Sequence, residues 1–364
     1  MSRSPEHFIA HAIGKLSDLR QAKQTFAQRL IHTPRTEHAR RLQQMQLTAL
    51  AAARRVSPPI TPTPTENVVG VGIGEKISDG RQTGNLAVKF LVRMKYPLSQ
   101  MDTKHALPRD IDGVVTDVEE VGTFQRFATA AAAARRKPAG MPNPRTRIRP
   151  AQPGCSVGFQ DPAGAIVMAG TFGAVVKDKS GTYVLSNNHV LADENRLPIG
   201  SAIFQPGLLD GGNASTDQIA SLTRFITLET TKPNAVDCAI AKASSASIVS
   251  SDVLHIGAPA GVAAAAIDMS VHKFGRTTGY TVGSITSIDT DVTVKYDIGN
   301  ITFAGQIIIV GNGGTAFSQA GDSGSLILER GTNEAVALLF AGSATHTIAN
   351  HLDDVLKALN VTLA

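Results

Sequence analysis

The pentapeptide Gly321-Asp322-Ser323-Gly324-Ser325 combines a hydroxyl group with the backbone freedom that a nucleophilic serine requires. A serine that attacks a carbonyl carbon must present its hydroxyl on a sharp turn, with backbone N–H groups directed at the oxyanion that forms. Gly321 and Gly324 permit such a turn, because glycine accepts positive φ angles. The amides of Gly321 and Ser323 would then form the oxyanion hole. Glycine and aspartate also fill ordinary turns, so this motif alone leaves a plain turn equally open.

A base and a carboxylate stand upstream of this serine. His189 follows an apolar strand and a short polar turn in Tyr183-Val184-Leu185-Ser186-Asn187-Asn188-His189. Asp237 is a single carboxylate within the apolar segment Ala235-Val236-Asp237-Cys238-Ala239-Ile240-Ala241. A buried carboxylate without a partner would be costly, and an imidazole N–H would satisfy it. The chain order His189, Asp237, Ser323 is that of the two-barrel serine peptidases.

Each of the three residues also has a purely structural explanation. His189 could be a core or capping histidine, and Ser323 could cap a turn. Asp237 could pair with Arg276 or Lys242. The functional interpretation therefore depends on the three occurring together and in this order.

A further stretch of sequence supports it. The segment His272-Lys273-Phe274-Gly275-Arg276-Thr277-Thr278-Gly279-Tyr280-Thr281-Val282-Gly283-Ser284-Ile285-Thr286 resembles the opening hairpin of the second barrel in bacterial α-lytic-type proteases. The chain as a whole resembles a trypsin-like (chymotrypsin-fold) serine endopeptidase. The histidine motif and the glycine-rich stretch 67–74 resemble the group that contains bacterial trypsin-like peptidases and the plant narrow-leaf family. The resemblance is clearest over 151–345, weaker over 66–122 and absent over 1–60.

The resemblance implies both a fold and a mechanism. About twelve short apolar segments separated by turn signals follow Gly154, which favours an all-β barrel or sandwich. The family fold is two six-stranded β-barrels, with His189 and Asp237 on the first and Ser323 on the second. The implied reaction is acyl transfer: His189 acts as general base, Asp237 fixes the imidazole tautomer, and the amides of Gly321 and Ser323 hold the oxyanion.

Two departures from the family pattern bear on the site. Phe317 stands where trypsin carries the acid of its specificity pocket, so we expect a small or medium apolar substrate side chain rather than arginine or lysine. The residues assigned to substrate binding are Phe317, Ser318, Ala341 and Gly342. Phe340 stands where the family places a serine near the triad aspartate, so that support is missing.

The cysteine count bears on the compartment. Only Cys155 and Cys238 occur, and His272 and Val282 replace the cysteines of the family's hairpin disulfide. A secreted protease of this fold normally carries disulfides, so we expect a reducing, cytoplasmic compartment. No cofactor is expected, and the spacing of His255, His272 and His346 indicates no metal site.

The chain before the protease region divides by composition. Residues 1–55 form a basic arm with apolar residues at helical spacing, interrupted near Thr33-Pro34. Residues 56–65 are a proline-rich linker, 66–124 a small α/β module, and 125–150 a second linker that is basic and proline-rich. Residues 151–364 form the protease domain, which is predicted to end in a helix over 346–363.

The basic arm and basic linker leave several roles open. The arm could mediate homo-oligomerisation or partner docking, or be a solvated helical hairpin. Either segment could bind nucleic acid or another anionic partner, and the linker could be a tether or a processing site. No apolar run is long enough for a membrane span and no secretory h-region occurs, so no membrane partner is expected.

The sequence therefore predicts a mainly β intracellular serine endopeptidase that acts on protein or peptide substrates and is regulated through its N-terminal region, in signalling or defence. The composition is that of a globular protein, with 42% hydrophobic residues. Two alternatives remain: a pseudoprotease that binds peptides without cutting them, and a regulatory protein associated with nucleic acid.

Overall fold

The computed structural model describes residues 13–33, 62–126 and 140–364, and strands dominate this part of the chain. The strands, in chain order, are β1 (Val68–Ser78), β2 (Arg81–Val92), β3 (Asp110–Ile111), β4 (Val114–Glu120), β5 (Gln125–Arg126), β6 (Ser156–Phe159), β7 (Gly170–Thr171), β8 (Ala174–Asp178), β9 (Gly181–Ser186), β10 (Ala202–Phe204), β11 (Gln218–Phe225), β12 (Ala239–Ala243), β13 (Ser270–Gly275), β14 (Gly279–Tyr296), β15 (Gly299–Gly311), β16 (Leu326–Glu329), β17 (Ala335–Gly342), β18 (His346–His351) and β19 (Thr362–Leu363).

The helices are few and mostly short. They are α1 (Ile13–Ala27), continued by a π-helical turn over Gln28–His32, α2 (Pro64–Asn67), α3 (Asn188–Leu191) and α4 (Leu352–Leu359). Single 3-10 turns occur at Leu98–Gln100, Thr103–His105, Leu208–Asp210, Ala246–Ile248 and Asn312–Gly314. None of the helices in the described ranges is both long and apolar enough to cross a bilayer.

The chain divides into two compact units. The first ends at Gly122 and includes residues Asp289–Thr293 of β14. The second comprises Thr123–Ile288 and Val294–Ala364. The domain boundaries drawn from composition stay a prediction.

The first unit packs α1 and its π-helical turn on a small sheet. β1 pairs antiparallel with β2, and β2 pairs parallel with β4. The shared core contains Leu19, Leu30 and Ile31 from the helical segment and Val71, Ile73, Val88 and Phe90 from the strands. The described part of the basic arm, residues 13–33, thus shares one core with the strands, because neither element can bury its apolar face alone.

A buried ionic cluster ties the helical segment of this unit to its residues Asp289–Thr293. Lys23 is 6% exposed, and its Nζ lies 2.5 Å from Asp291 Oδ1 and 3.1 Å from Asp289 Oδ1. His32 Nε2 lies 2.8 Å from Asp291 Oδ2. An ammonium group without a partner at this depth would be strongly destabilising, which explains why a carboxylate stands in the strand.

Six strands of the second unit form a closed barrel. Their order is β13-β16-β17-β18-β15-β14, and pairing of β13 with β14 closes the ring. The core of this barrel contains Val271, Ile285, Ile307, Ile309, Ile327 and Leu339. Closure leaves no sheet edge along the ring and places the inward-facing residues of every strand in one core.

The other barrel has the order β8-β9-β12-β11-β10-β6. The chain over 170–178 pairs at both of its ends, because β7 pairs with β6 and β8 pairs with β9. The sheet therefore curls back on itself around a core that includes Val157, Phe172, Val184, Ile203 and Ile240. The predicted fold, mainly β with two six-stranded barrels, is confirmed.

Two predicted elements at the C-terminal end of the chain were wrong in detail. The strands predicted over 281–288 and 291–296 are one continuous strand, β14. The helix predicted over 346–363 occupies only Leu352–Leu359, after the buried strand β18. Residues 347–350 are all buried, which a strand between two others permits. Helical spacing begins only with Leu352, Val355 and Leu359, and Asn360 ends the helix with a φ of 52°.

Candidate active site

His189 and Asp237 are brought together by a strand pair of the first barrel. His189 lies on the one-turn helix α3, which follows β9, and Asp237 lies two residues before the start of β12. β9 and β12 pair antiparallel with Ser186 opposite Ala239, so the two strand ends meet. His189 Nδ1 lies 2.6 Å from Asp237 Oδ2, and both side chains are fully buried. This is the geometry in which a carboxylate fixes an imidazole tautomer.

The Asp237 carboxylate has hydrogen-bond donors on both oxygens. The amide of Asn188 donates to Oδ1 at 2.7 Å, with the amide of His189 at 3.4 Å. The Tyr296 hydroxyl donates to Oδ2 at 2.7 Å. These donors offset the loss of hydration of the buried carboxylate. The structural alternative of an ion pair between Asp237 and Arg276 is wrong, because the Arg276 guanidinium binds Asp210 instead.

Tyr296 was not identified from the sequence, and it occupies the role left open by Phe340. Burial and the nearby charge of Asp237 raise the Tyr296 pKa well above its usual value, so the phenol keeps its proton and remains a donor. Its ring also lies edge-to-face against the His189 ring, with centroids 5.8 Å apart. Phe340 packs on Phe303, whose ring lies 4.6 Å away. The only signal for Tyr296 in the sequence was its position at the end of the segment 291–296, which was predicted as a strand.

Ser323 lies on a tight turn between the barrels. Gly321 has a φ of 96° and Gly324 a φ of 92°, angles that favour glycine. A Cβ at Gly324 would collide with the Ser186 hydroxyl and the Thr171 carbonyl, which belong to the first barrel. The glycine therefore permits both the turn and the close approach of the two barrels.

The Ser323 hydroxyl is bonded to the backbone rather than to the imidazole. Ser323 Oγ donates to the Phe340 carbonyl at 3.1 Å. His189 Nε2 is buried and has no hydrogen-bond partner among the described residues. A Cβ placed on Gly170 would lie 2.7 Å from the side chain of Val190 and 3.0 Å from the Ser323 carbonyl oxygen, so the histidine segment and the serine turn adjoin. The structure thus brings His189 and Asp237 into contact, whereas Ser323 is turned to another acceptor.

Asp322 supports the turn from beneath. Its Oδ1 accepts from the amides of Thr277 at 2.8 Å and Thr278 at 3.1 Å. Its Oδ2 accepts from the Thr278 hydroxyl at 2.7 Å and the Gln319 amide at 3.0 Å, and lies 3.4 Å from Lys273 Nζ. Asp322 and the Lys273 side chain are both fully buried. Burial lowers the pKa of Lys273, and the Asp322 charge opposes this shift.

Arg276 connects the same turn to the first barrel. Its Nε and Nη2 donate to the two oxygens of Asp210 at 2.5 and 2.8 Å, and both side chains are at most 5% exposed. A Cβ on Gly321 would collide with Arg276 Nη1 and the Thr277 hydroxyl, so the guanidinium lies directly against the turn. The two ion pairs, Lys273–Asp322 and Arg276–Asp210, come from the hairpin motif that the sequence singled out without giving them a role.

The amides predicted for the oxyanion hole are free. Neither the Gly321 amide nor the Ser323 amide donates a hydrogen bond to another residue in the described part of the chain. The neighbouring amides are engaged, with Asp322 donating to Gln319 and Gly324 to Leu339. Two free donors on one turn are what a developing oxyanion requires.

The residues predicted for substrate binding separate into two pairs. The Phe317 ring, expected beside the substrate, packs in the core of the second barrel, 5.5 Å from Lys273 Nζ. The Ser318 hydroxyl is buried against the Thr347 hydroxyl at 2.5 Å. Ala341 and Gly342 lie at the end of β17 and pair through their backbone with β5. The side chains of the first pair therefore line the barrel interior, and the backbone of the second pair forms a strand edge.

The described residues contain no group of three or more histidine, cysteine, aspartate or glutamate side chains arranged to hold a metal ion. Cys155 and Cys238 are both free and buried. Burial raises the Cys155 pKa to about 12 and the Cys238 pKa well above its usual value. Neither thiol is activated as a nucleophile.

Comparisons with known proteins give the following similarities. The family described as the Nal1 C-terminal domain matches residues 237–351, a segment that includes Asp237 and Ser323. No curated protein matches the chain. Solved structures that resemble it are chymotrypsin-fold serine proteases, including α-lytic-type enzymes, at low identity.

Thermobifida fusca protease A is 19% identical with a TM-score of 0.42, over 58% of this chain and 97% of that one. A Nocardiopsis protease is 15% identical with a TM-score of 0.41, over 57% and 95%. The α-lytic protease homologue N4 is 15% identical with a TM-score of 0.41, over 60% and 100%.

Proposed function

We propose that this protein is a serine endopeptidase that cleaves peptide bonds through Ser323, His189 and Asp237. One observation carries the proposal: the His189–Asp237 pair leaves Nε2 of a buried imidazole without a partner, beside a serine turn whose amides are also free. A structural histidine at this depth would have both ring nitrogens satisfied. A general base needs one ring nitrogen held and the other open.

The proposed reaction begins with a rotation of the Ser323 side chain. The hydroxyl leaves the Phe340 carbonyl, which is its acceptor in the resting arrangement, and turns to His189 Nε2. His189 removes the proton as Oγ bonds to the substrate carbonyl carbon, and the Gly321 and Ser323 amides stabilise the oxyanion. The imidazolium then protonates the leaving amine as the C–N bond breaks. Water hydrolyses the acyl-enzyme by the same steps in reverse.

Asp237 holds the imidazole tautomer throughout this cycle. Its carboxylate lies 2.6 Å from His189 Nδ1 and stabilises the imidazolium that forms after proton transfer.

The proposal also includes predictions about the group, the compartment and the partners of the protein. We propose that it belongs to the bacterial trypsin-like peptidase group related to the narrow-leaf family and has a cytoplasmic role. We further propose that its N-terminal region mediates regulation and homo-oligomerisation, and that its basic segments bind an anionic partner.

The test is labelling with a fluorophosphonate probe together with cleavage of a peptide panel. We expect wild-type protein to label and to cut, and Ser323→Ala to lose labelling and about 10⁶-fold in turnover. Ser284→Ala, on a strand of the same barrel, is the matched control and should behave as wild type. Cleavage that survives Ser323→Ala would refute the assignment.

A peptide-binding pseudoprotease is the second candidate. The observation that favours it is the resting Ser323 hydroxyl, which is fully buried and bonded to Phe340. In that case the fluorophosphonate would not label the protein and no peptide would be cleaved at any concentration, while peptide binding would persist.

A further inference from the structure

One edge of β17 leads directly to the Ser323 turn. The opposite edge of this strand is occupied by β18 from Ala337 to Gly342. On the edge that faces the turn, β16 pairs with β17 as far as Leu338, and Leu339 is then bonded to the amide of Gly324 and the carbonyl of Ser325. Phe340 follows, and its carbonyl accepts from Ser323 Oγ. Ala341 and Gly342 are the next residues along this edge.

These positions are filled by a strand of the same chain. β5 pairs antiparallel with β17, with Arg126 opposite Ala341 and Gln125 opposite Gly342. Since the pairing is antiparallel, the chain direction from Gln125 to Arg126 runs from Gly342 towards Phe340 and the Ser323 hydroxyl. An extended peptide bound in this direction delivers its next residues to the nucleophile.

The residues before β5 are held as firmly as β5 itself. Phe124 is fully buried, and its carbonyl accepts from the Lys295 amide at 3.0 Å. Gln125 also pairs in parallel with Lys295 at the end of β14. The segment Thr123–Arg126, which we name the internal strand, therefore lies between two strands, β14 and β17.

The Arg126 side chain is bound by an acidic pocket. Arg126 is 6% exposed, and its guanidinium pairs with Glu194 and Asp297. The Glu194 side chain is 1% exposed, and its two oxygens also accept from the amides of Asp297 at 3.2 Å and Ile298 at 2.9 Å. A carboxylate buried to this extent requires a cation, and Arg126 supplies it, while the Asp297 carboxylate is 58% exposed.

We propose that the internal strand occupies the β17 edge as an intramolecular ligand, at the positions Ala341 and Gly342 that were assigned to substrate binding. The pocket of Glu194 and Asp297 selects substrates with arginine at the position opposite Ala341, one residue away from the position opposite Phe340. The internal strand competes with such substrates, so it lowers peptide binding and cleavage by the wild-type protein without abolishing them. The inference rests on the proposed function of Ser323, whose turn the bound peptide approaches.

The test measures peptide binding without catalysis. A fluorescent peptide, Thr-Phe-Gln-Arg, is titrated by anisotropy into the Ser323→Ala protein and the Ser323→Ala/Arg126→Gln protein. Loss of the buried ion pair should release the internal strand, so we expect the double variant to bind at least about 10-fold more tightly. The peptide Thr-Phe-Gln-Glu should bind the double variant about 10-fold or more weakly, since it carries an anion to the acidic pocket.

Lys232→Ala in the Ser323→Ala background is the control, because Lys232 is an exposed cation paired with the accessible Glu229. It should bind peptide as Ser323→Ala alone does. Equal affinity of the single and double variants, with unchanged thermal unfolding, would overturn the inference. If Arg126→Gln does not fold, Arg126→Lys takes its place, and it should raise peptide affinity less but in the same direction.

The two proposals can fail separately. Peptide binding that depends on Arg126, in a protein that no fluorophosphonate labels, would support the blocked β17 edge and contradict the peptidase. Normal labelling and cleavage with no dependence of peptide binding on Arg126 would keep the peptidase and remove the self-blocking strand.

Discussion

Two parts of the proposed site differ in how completely their polar groups are hydrogen-bonded: the histidine corner of the first barrel, formed by His189 and Asp237, and the serine corner of the second barrel, formed by the Ser323 turn and Asp322. At the histidine corner, both Asp237 oxygens have donors and one imidazole nitrogen is held. At the serine corner, the supporting carboxylate Asp322 has four hydrogen-bond donors and an ammonium group. The reacting groups there are not engaged with the base: Ser323 Oγ donates to Phe340 and the two turn amides are free.

This difference matches the division of work in the proposed acyl transfer. The base must keep one orientation through both half-reactions, so a closed network around Asp237 is useful. The nucleophile and the oxyanion donors must exchange partners with the substrate, and free donors on a rigid turn allow this without reorganisation. Each corner is fixed by one buried carboxylate, Asp237 with a phenol and an imidazole, Asp322 with an ammonium.

Breaking the histidine corner should have the largest effect. Asp237→Asn keeps the shape and an oxygen for the Asn188 amide, but an amide group no longer enforces the imidazole tautomer. We expect kcat to fall about 10⁴-fold with native thermal unfolding. Asp252→Asn, an exposed aspartate of the same barrel, is the control for kinetics with peptide substrates. A decrease in kcat below about 10-fold would mean that the Asp237 carboxylate is not needed to fix the imidazole tautomer.

Disrupting the Lys273–Asp322 ion pair of the serine corner should change the free energy of unfolding more than the kinetics. Lys273→Met leaves the Asp322 carboxylate buried without its cation, and we expect about 3–5 kcal/mol of lost stability in denaturant unfolding. The double variant Lys273→Met/Asp322→Asn removes both charges and should regain most of this loss. Lys242→Met, an exposed lysine on β12, serves as the control and should be near neutral. If the double variant is no more stable than Lys273→Met, the two groups are not coupled.

The same pair gives a pH signature. The folded-state pKa of Lys273 is lowered by burial, so between this pKa and the ordinary lysine value the unfolded chain binds more protons. The free energy of unfolding contributed by Lys273 therefore rises with pH across that alkaline window. The slope should disappear in Lys273→Met, which unfolding measured at several alkaline pH values would show.

The sequence was sufficient for the barrels and for the order of the three catalytic candidates. Short apolar segments between turn residues specify strands locally, and the motifs around His189, Asp237 and Ser323 are each local patterns. The long-range partners could not be found in this way. Tyr296 meets Asp237 across 59 residues, and Lys273 meets Asp322 across 49. Such contacts depend on the register and closure of the sheet, which no local pattern encodes.

The predicted basic linker over 125–150 gives a second example of a long-range contact that the sequence pattern did not predict. The sequence identified 125–150 as an exposed basic linker, because proline and arginine are typical of solvated segments. Its first two residues instead form β5, and Arg126 is buried on Glu194. The part over 127–139 lies outside the described residues. Whether an arginine is solvated or bound depends on a carboxylate that stands 68 residues away in the chain.

The smallest of these effects should come from substituting Tyr296. This residue lies on a strand of the second barrel, and its hydroxyl donates to the Asp237 carboxylate of the first barrel, so it connects the two corners. Tyr296→Phe removes one of several donors to Asp237, so we expect a drop in kcat of about 10-fold and about 1 kcal/mol of stability. Because the phenol positions the carboxylate and does not touch the substrate in this mechanism, KM should stay unchanged. Tyr280→Phe is the matched control, since the Tyr280 hydroxyl contacts His272 Nδ1 at 3.2 Å, away from the proposed catalytic residues. Equal kinetics for the two variants would show that Asp237 is held by its backbone donors alone, and the histidine corner would then be independent of the second barrel.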